Sequence, residues 1–521
     1  MIRMNRQKLR LWLLTYISLP IMVFLLGYLR WYWGIPGICA LSFAFYCAVH
    51  EQRTTCSDTV ISISRWEMLF WIVFVLLFTH LCGLSGFWYQ TTDWNARNPI
   101  YKDIITRPWP VFYEGRNTAL SYYIGFWLVP AVPAKLVYML FGVDAGWMMG
   151  HFTLWLWSAL GLLLILLSIF LQLDSNSLKS RCVSSLTVLL FSGLDIVGVL
   201  IYRERYLLEP GAFHLEWWYL SYEFSSITTC LCWVFNQTMI PWICVLIFLT
   251  EKSSRNYLLI GTACLFCGPF PFVGLIILMF ARFFADCAAE LRNRGSAGNC
   301  IRDAFSPQNL IVLCFVFPLA ALYLLSNNAA AEGLKTDISR VVPTVGGMLL
   351  FFVLEVGIYW GLLWKEHRKD VLFYAVVGTL LMCPFIRIGQ GDDFCMRVSV
   401  PGIFLMAIWC AKRICAFVKN GFPKPARERI AAITLTAALI IGSVTPIVEL
   451  YRGVYYVVSK RTIFLGNREY DTLEEYPVIT VNFEATAPES RVFYHYFAKS
   501  LVGGRGKTMK TIAGDMKWIK F

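Results

Sequence analysis

The chain has 521 residues, of which 58% are hydrophobic and 15% charged. Its mean hydropathy is +0.58, and apolar stretches of spanning length recur, which excludes an ordinary soluble globule and leaves an all-α polytopic membrane protein. The net charge of +13 mostly reports lysine and arginine held on the cytoplasmic side, with a further contribution from the tail, so the bilayer is a partner and nucleic acid is not.

Runs of about 17 to 25 apolar residues read as membrane helices. In chain order they fall near residues 11–29, 33–50, 66–84, 146–171, 183–202, 236–250, 309–325, 341–364, 371–388, 397–415 and 430–448. Residues 256–283 read as two shorter spans broken at Cys267-Gly268-Pro269-Phe270-Pro271, where Gly and Pro interrupt the helix. The total is about thirteen crossings. The first apolar run is too long for a signal-peptide core and lacks a small-residue cleavage site, so it is expected to stay as an anchor.

Positive charge near span ends sets orientation. Arg3, Arg6, Lys8 and Arg10 place the N-terminus in the cytoplasm, and the basic loops around Arg292, Lys365 and Lys412 follow it. Residues 85–145, 203–235, 326–340, 389–396 and everything after Glu449 then lie outside. The chain divides into a transmembrane domain, 1–449, and an external C-terminal tail, 450–521. In the tail, Val454 to Val458 and Val478 to Phe483 look strand-like and Arg505 to Lys510 is basic, which predicts a small mixed α/β unit or an arm packed on the outer loops.

The first external segment carries Pro99, Pro108, Pro110 and Pro133 among Trp88, Trp94, Trp109, Tyr113, Tyr122, Tyr123 and Trp127, a pattern of short interfacial helices. Leu120 to Phe141 is long enough to span. A crossing there would leave Gly142-Val143-Asp144-Ala145 in the cytoplasm without positive charge and move Lys179 and Arg181 outside, against the charge rule. The most informative stretch is Asp93-Trp94-Asn95-Ala96-Arg97-Asn98-Pro99, which sets a carboxylate and a guanidinium at the membrane edge just after the span 66–84.

Seventeen cysteines lie mostly in or beside spans and read as small core residues. Cys264-x-x-Cys267 sits in apolar sequence without partners, so no zinc-type spacing is present.

An outer loop with an Asp soon after a span, interfacial helices ending in Leu140-Phe141-Gly142-Val143, and a long helix beginning Ala145-Gly146-Trp147 resemble the early region of the GT-C superfamily of membrane glycosyltransferases. The resemblance covers roughly residues 66–175 plus the overall topology. It implies an enzyme that takes a sugar from a polyprenyl-phosphate carrier on the outer face of the membrane. The chain departs from that pattern in two ways. A helical hairpin, residues 11–50, precedes the span expected first, and Asp93 is followed by Trp94 rather than by a second acid. Ser192-Gly193-Leu194-Asp195, His214-Leu215-Glu216-Trp217-Trp218 and the turn at Asp392-Asp393 are similar to segments of bacterial polytopic membrane proteins, which implies the bacterial inner membrane.

Moving a sugar from a lipid phosphate to a hydroxyl needs a base for the acceptor proton and a cation for the departing phosphate. Asp93 is the candidate base, against the alternative of a helix cap or solvated loop carboxylate. Arg97, Arg387 and Arg397 are candidate cations, against a side chain snorkelling to headgroups. Asp195 falls inside an apolar span, where a carboxylate is expensive and marks a substrate-binding candidate unless it merely bonds Ser192 or a neighbouring helix. Glu355 lies deeper and reads as structural. His214 and Glu216, with Trp217, Trp218, Tyr219, Tyr222 and Glu223, offer aromatic faces beside carboxylates as proteins do to sugar rings, though interface belts look the same. Asn236-Gln237-Thr238 fits a glycosylation acceptor pattern at a span start that a transferase scarcely reaches. Gly389-Gln390-Gly391-Asp392-Asp393, flanked by Arg387 and Arg397, gathers two carboxylates and two cations, which suits a polar substrate or a divalent ion and assigns no cofactor.

The expected function is transfer of a sugar from a polyprenyl-phosphate donor to a cell-envelope glycan, lipid or protein acceptor. The alternatives are a transporter or flippase of lipid-linked glycans, with Asp195 and the arginines as binding groups, and a non-enzymatic assembly subunit.

Overall fold

The computed structural model describes residues 1–53, 60–175, 177–202, 214–220, 222–331, 343–386, 388, 393–460, 470–476 and 482–502. In chain order its helices are α1 (Arg6–Tyr28), α2 (Trp31–Arg53), α3 (Arg65–Leu81), α4 (Trp94–Thr106), α5 (Gly125–Phe141), α6 (Val143–Gln172), α7 (Leu178–Leu189) and α8 (Asp195–Tyr202). Next come α9 (Ile227–Trp233), α10 (Met239–Thr250), α11 (Tyr257–Cys267), α12 (Pro269–Arg294), α13 (Gly298–Ala304), α14 (Pro307–Phe315), α15 (Phe317–Leu325) and α16 (Asn328–Ala331). The last are α17 (Val345–Phe352), α18 (Ile358–His367), α19 (Val371–Met382), α20 (Asp393–Val398), α21 (Val400–Asn420), α22 (Ala426–Gly442) and α23 (Val444–Lys460). Strands β1 (Ile2–Asn5) and β2 (Val60–Ile63) pair antiparallel, and β3 (Phe112–Tyr113), β4 (Thr118–Leu120) and β5 (Glu484–Thr486) form a second small antiparallel sheet.

The chain is an all-α membrane protein. Among the described residues, 8 helices are long and apolar enough to cross a bilayer, or 9 if the pair α9 and α10, bent by 114°, counts as one. Others of the expected thirteen are shorter helices, such as α3 with 17 residues and α19 with 12; α5, in the segment expected to lie at the interface, has 17. Local signals start the helices. Asn5 accepts from Lys8 N at 2.8 Å at the head of α1, and Ser64 accepts from Glu67 N at 3.0 Å at the head of α3. Gly142, at φ +92°, turns α5 back onto α6, a conformation open mainly to glycine. At the centre, α10 is apolar all round and buried from Met239 to Phe248, with α1, α6, α11 and α21 packed against it.

Two elements depart from the sequence expectations. Residues 183–202, read as one span, break into α7 and α8 around a non-helical stretch at 190–194. The freed backbone finds partners, as buried groups in a membrane must: Leu194 N donates to Leu354 O at 3.1 Å, Ile227 N to Phe191 O at 3.2 Å, and the Tyr359 hydroxyl to Ser192 O at 2.9 Å. Facing this break, Val353–Gly357 forms a π-helical turn between α17 and α18. The expected break at Cys267-Gly268-Pro269 separates α11 from α12.

The strand expected at Val454–Val458 is instead the last part of α23. Its aromatic and β-branched residues belong to a helical face, where Arg452 and Gly453 are buried against Trp233 and Trp88 and Tyr456 stacks on Tyr89 with ring centroids 4.6 Å apart. Packing thus overrides β-propensity. Val478, Ile479, Thr480 and Val481 lie outside the described residues, and the strand in that region is β5, paired with β4.

Candidate functional site

Asp93 stands at the N-terminal end of α4, in the capping position, yet its side chain makes no cap bond. Instead its Oδ2 accepts from Arg97 Nη2 at 2.8 Å, one helical turn on. The same arrangement recurs far along the chain at the start of α20, where Asp393 Oδ1 pairs with Arg397 Nη2 at 3.0 Å. Both Asp-x-x-x-Arg turns line one cavity of about 900 Å³. Tyr122, Tyr123, Asn95 and Asn327 line it too, with Tyr476, Asn482 and Phe483 from the C-terminal arm. One wall is apolar, with Phe270, Phe272, Phe317, Leu324 and Leu325 on α12 and α15, and Leu325 is 61% exposed, so this wall reaches the outer apolar surface. A second cavity of about 220 Å³ shares Phe272 and Phe317 with the first and runs on between Leu258, Ile276 and Met279.

The electrostatics are those of a site waiting for an anion. The Arg97 side chain is 5% exposed, and its Nη1, like Arg397 Nε, is buried without a hydrogen-bond partner. Burial opposes the charge of Arg397, but Asp393, Tyr123, Tyr122 and Asp93 more than offset that and raise its pKa, so it stays cationic. Burial, then the neighbouring Tyr123, pushes the Tyr122 phenol well above its ordinary value, with Arg97 and Arg397 pulling the other way. Asp93 itself is 42% exposed at the side chain and accessible to a substrate and to water.

The far end of α4 is held by a buried network. Asp103, fully buried, accepts from Thr472 Oγ1 and from Leu473 N, each at 2.9 Å, and from Arg107 Nε at 3.2 Å. Arg107 also donates to Glu474 Oε2 at 2.6 Å and to Thr472 Oγ1 at 3.1 Å. Lys135, on α5, donates to the carbonyls of Ile104, Ile105 and Arg107 that α4 leaves open at its C-terminus. Arg116 reaches Glu484 at 3.0 Å, and Thr118 reaches the same carboxylate at 2.7 Å. The arm is therefore part of the wall that fixes α4.

The other sequence candidates gather elsewhere. Asp195, at the first turn of α8, is buried, with Oδ2 accepting from Ser192 Oγ at 2.6 Å and Thr445 Oγ1 at 2.9 Å. Glu355, expected at a different depth, is its hydrogen-bonded neighbour and also accepts from Trp218 Nε1 at 2.8 Å. Glu216 is buried and accepts from Ser226 N at 2.8 Å. His214 faces Glu449 at 3.6 Å between the rings of Trp217 and Trp233, and burial, then Arg452, lowers its pKa to about 3. Asp195, Glu216 and His214 do not line the cavity at Asp93. Arg387 and Gly389 to Asp392 lie outside the described residues. Asn236 is fully buried, out of reach of a glycosylating enzyme. Among the described residues no group of three or more His, Cys, Asp or Glu is arranged to hold a metal, and the described cysteines are free thiols.

Sequence reasoning did not single out Tyr123, Asp103, Arg107 or the arm residues Thr472, Tyr476 and Phe483. The aromatic pair looked like an interface belt, and the charges of α4 sat in a polar segment where nothing marked them as buried.

No family model, no curated protein and no solved structure matches this chain.

Proposed function

We propose that the chain is an extracytoplasmic glycosyltransferase of the GT-C type that moves a sugar from a polyprenyl phosphate to a hydroxyl of a cell-envelope glycan, lipid or protein. The observation that carries this reading is the meeting of Asp93–Arg97 and Asp393–Arg397, far apart in sequence, on one cavity with an apolar wall. A lipid-linked sugar phosphate needs such a place, with cations for the phosphate beside an apolar surface for the isoprenoid chain. The smaller dry cavity continuing past Phe272 and Phe317 extends that surface.

In this reading Arg97 and Arg397 hold the phosphate and Asp93 takes the acceptor proton. The acceptor oxygen bonds to the anomeric carbon as the bond from that carbon to the phosphate oxygen breaks. The bonding pair leaves with the phosphate, and the proton passes from Asp93 to water at its exposed edge. Asp393 keeps Arg397 in place. The site faces outward from a bacterial inner membrane, with the N-terminus in the cytoplasm.

The test is turnover in liposomes. Wild type given polyprenyl-phosphate sugars and a panel of acceptors releases polyprenyl phosphate, and Asp93→Asn retains donor binding but turns over roughly 10²- to 10⁴-fold more slowly. Equal release from both proteins removes the catalytic assignment. A transporter or flippase of lipid-linked glycans is the second reading, favoured by the helix break at Asp195 opposite the π turn at Glu355. Glycan crossing the bilayer with no bond broken would select it.

A further inference from the structure

The paired tyrosines at the back of the cavity have no part in the reaction as described so far. Tyr123 is half-buried on the cavity wall, its ring tilted by 35° against Tyr122 with centroids 3.7 Å apart. Its hydroxyl oxygen accepts from Arg397 Nη1 at 3.2 Å. A phenol has one proton to give as well as lone pairs to receive, and the bond from Arg397 uses a lone pair of Tyr123 rather than its proton. A hydroxyl that accepts from a guanidinium is a stronger donor than a free one, because the first bond polarises the second. Charged, oriented donors in a partly dry site are most effective where negative charge grows during reaction.

We propose that Tyr123 is a catalytic hydrogen-bond donor to the departing phosphate, its hydroxyl polarised by Arg397 and aimed at the oxygen that takes up the bonding pair. This inference rests on the glycosyl-transfer reading. Tyr123 keeps its proton throughout. The bond from the anomeric carbon to the phosphate oxygen breaks, that oxygen gains the electron pair, and the hydrogen bond from Tyr123 tightens as it does so, while the acceptor proton goes to Asp93. Tyr122 is a neighbour of a different kind. It is buried and packs against the ring of Tyr123.

The experiment uses the full chain in liposomes with polyprenyl-phosphate sugars of defined headgroup, and polyprenyl phosphate itself as competing product. Tyr123→Phe should lower kcat roughly 10²-fold, as loss of one donor to a developing oxyanion does. It should weaken inhibition by polyprenyl phosphate about tenfold, since the charge is full in the product, and change affinity for the intact donor less than about threefold. Tyr122→Phe, which leaves the Tyr123 hydroxyl in place, should lower kcat several-fold less than Tyr123→Phe does. Wild-type turnover and product inhibition in Tyr123→Phe overturn the assignment, as does an equal loss in Tyr122→Phe, which would make the pair a packing element. A readout independent of packing is 3-fluorotyrosine at position 123, which makes the hydroxyl more acidic with almost no change of shape. As the stronger donor it should tighten inhibition by polyprenyl phosphate, and unchanged inhibition overturns the assignment. If Asp93→Asn is inactive while Tyr123→Phe matches wild type, Tyr123 alone is reassigned. If wild type releases no polyprenyl phosphate from any donor, the glycosyl-transfer reading falls and the Tyr123 assignment with it.

Discussion

Glu216 shows what a single buried carboxyl costs this protein. Its Oε1 receives the Ser226 N–H, while Oε2 is buried without a partner. Burial, then the charges of Glu223 and Asp195, pushes its pKa well above the ordinary value. A carboxyl raised in this way takes up a proton on folding. It therefore supports the fold most below the ordinary carboxylate range, and the support is lost as pH rises through the folded-state pKa. Glu216→Gln keeps the acceptor for Ser226 and removes the titration. Its melting temperature in detergent should meet that of wild type at acid pH and exceed it progressively as pH rises, and parallel curves would show that Glu216 does not titrate across the range. At this scale the sequence was readable where a charge stood alone against apolar surroundings. Asp93, Arg97, Asp393 and Arg397 each stand out in that way, and they share one cavity. Tyr123 did not, because an aromatic at a membrane edge has an ordinary reason to be there. Asp103 did not, because burial of a charge depends on what packs over it, here residues 472 and 473.

Hydropathy measures the length of an apolar run and says little of its continuity. Residues 183–202 are apolar enough for one helix, but Gly193 lies where two interrupted elements touch. A Cβ there would fall 1.8 Å from Glu355 Oε2 and 3.1 Å from Glu355 Cα. Gly193→Ala must therefore push the π turn away or shift the break. The expected cost is about 1–3 kcal/mol or more, visible as a lower unfolding temperature with the Asp93 site still able to bind polyprenyl phosphate. A variant as stable as wild type would mean that the break has room to move. The misreading of Val454–Val458 has the related cause that β-branched and aromatic residues record an apolar face without recording its period, and α23 has simply continued. Gly and Pro, by contrast, gave the α11–α12 break directly, since backbone chemistry acts locally.

Across the whole molecule, the arm and the first outer segment must lie on one side of the bilayer, because β5 pairs with β4 and Thr472, Leu473 and Glu474 hold α4. The distribution of Lys and Arg predicts that this side is the outer one. A reporter fused after Phe521 should be external and one placed in the loop at Arg292 cytoplasmic, and a reversed pair of signals would put the cavity at the inner face, where an extracytoplasmic transferase has no use for it. The class of the protein was plain from composition, and an arm packed on the outer loops was one of two readings of the tail, but which segments it pairs with was not, because a long-range pairing between short segments leaves almost no local trace.

That pairing also sets a clock on biosynthesis. Asp103 and Thr472 are separated by 369 residues, so a ribosome adding about 5 to 20 residues each second needs roughly 20 to 75 s between making one and making the other. Throughout that interval the Asp103–Arg107 pair at one end of α4 lacks its partners Thr472, Leu473 and Glu474. The membrane insertion machinery therefore handles a chain that is already anchored many times over yet has no finished pocket, since Tyr476, Asn482 and Phe483 of its wall are still to come.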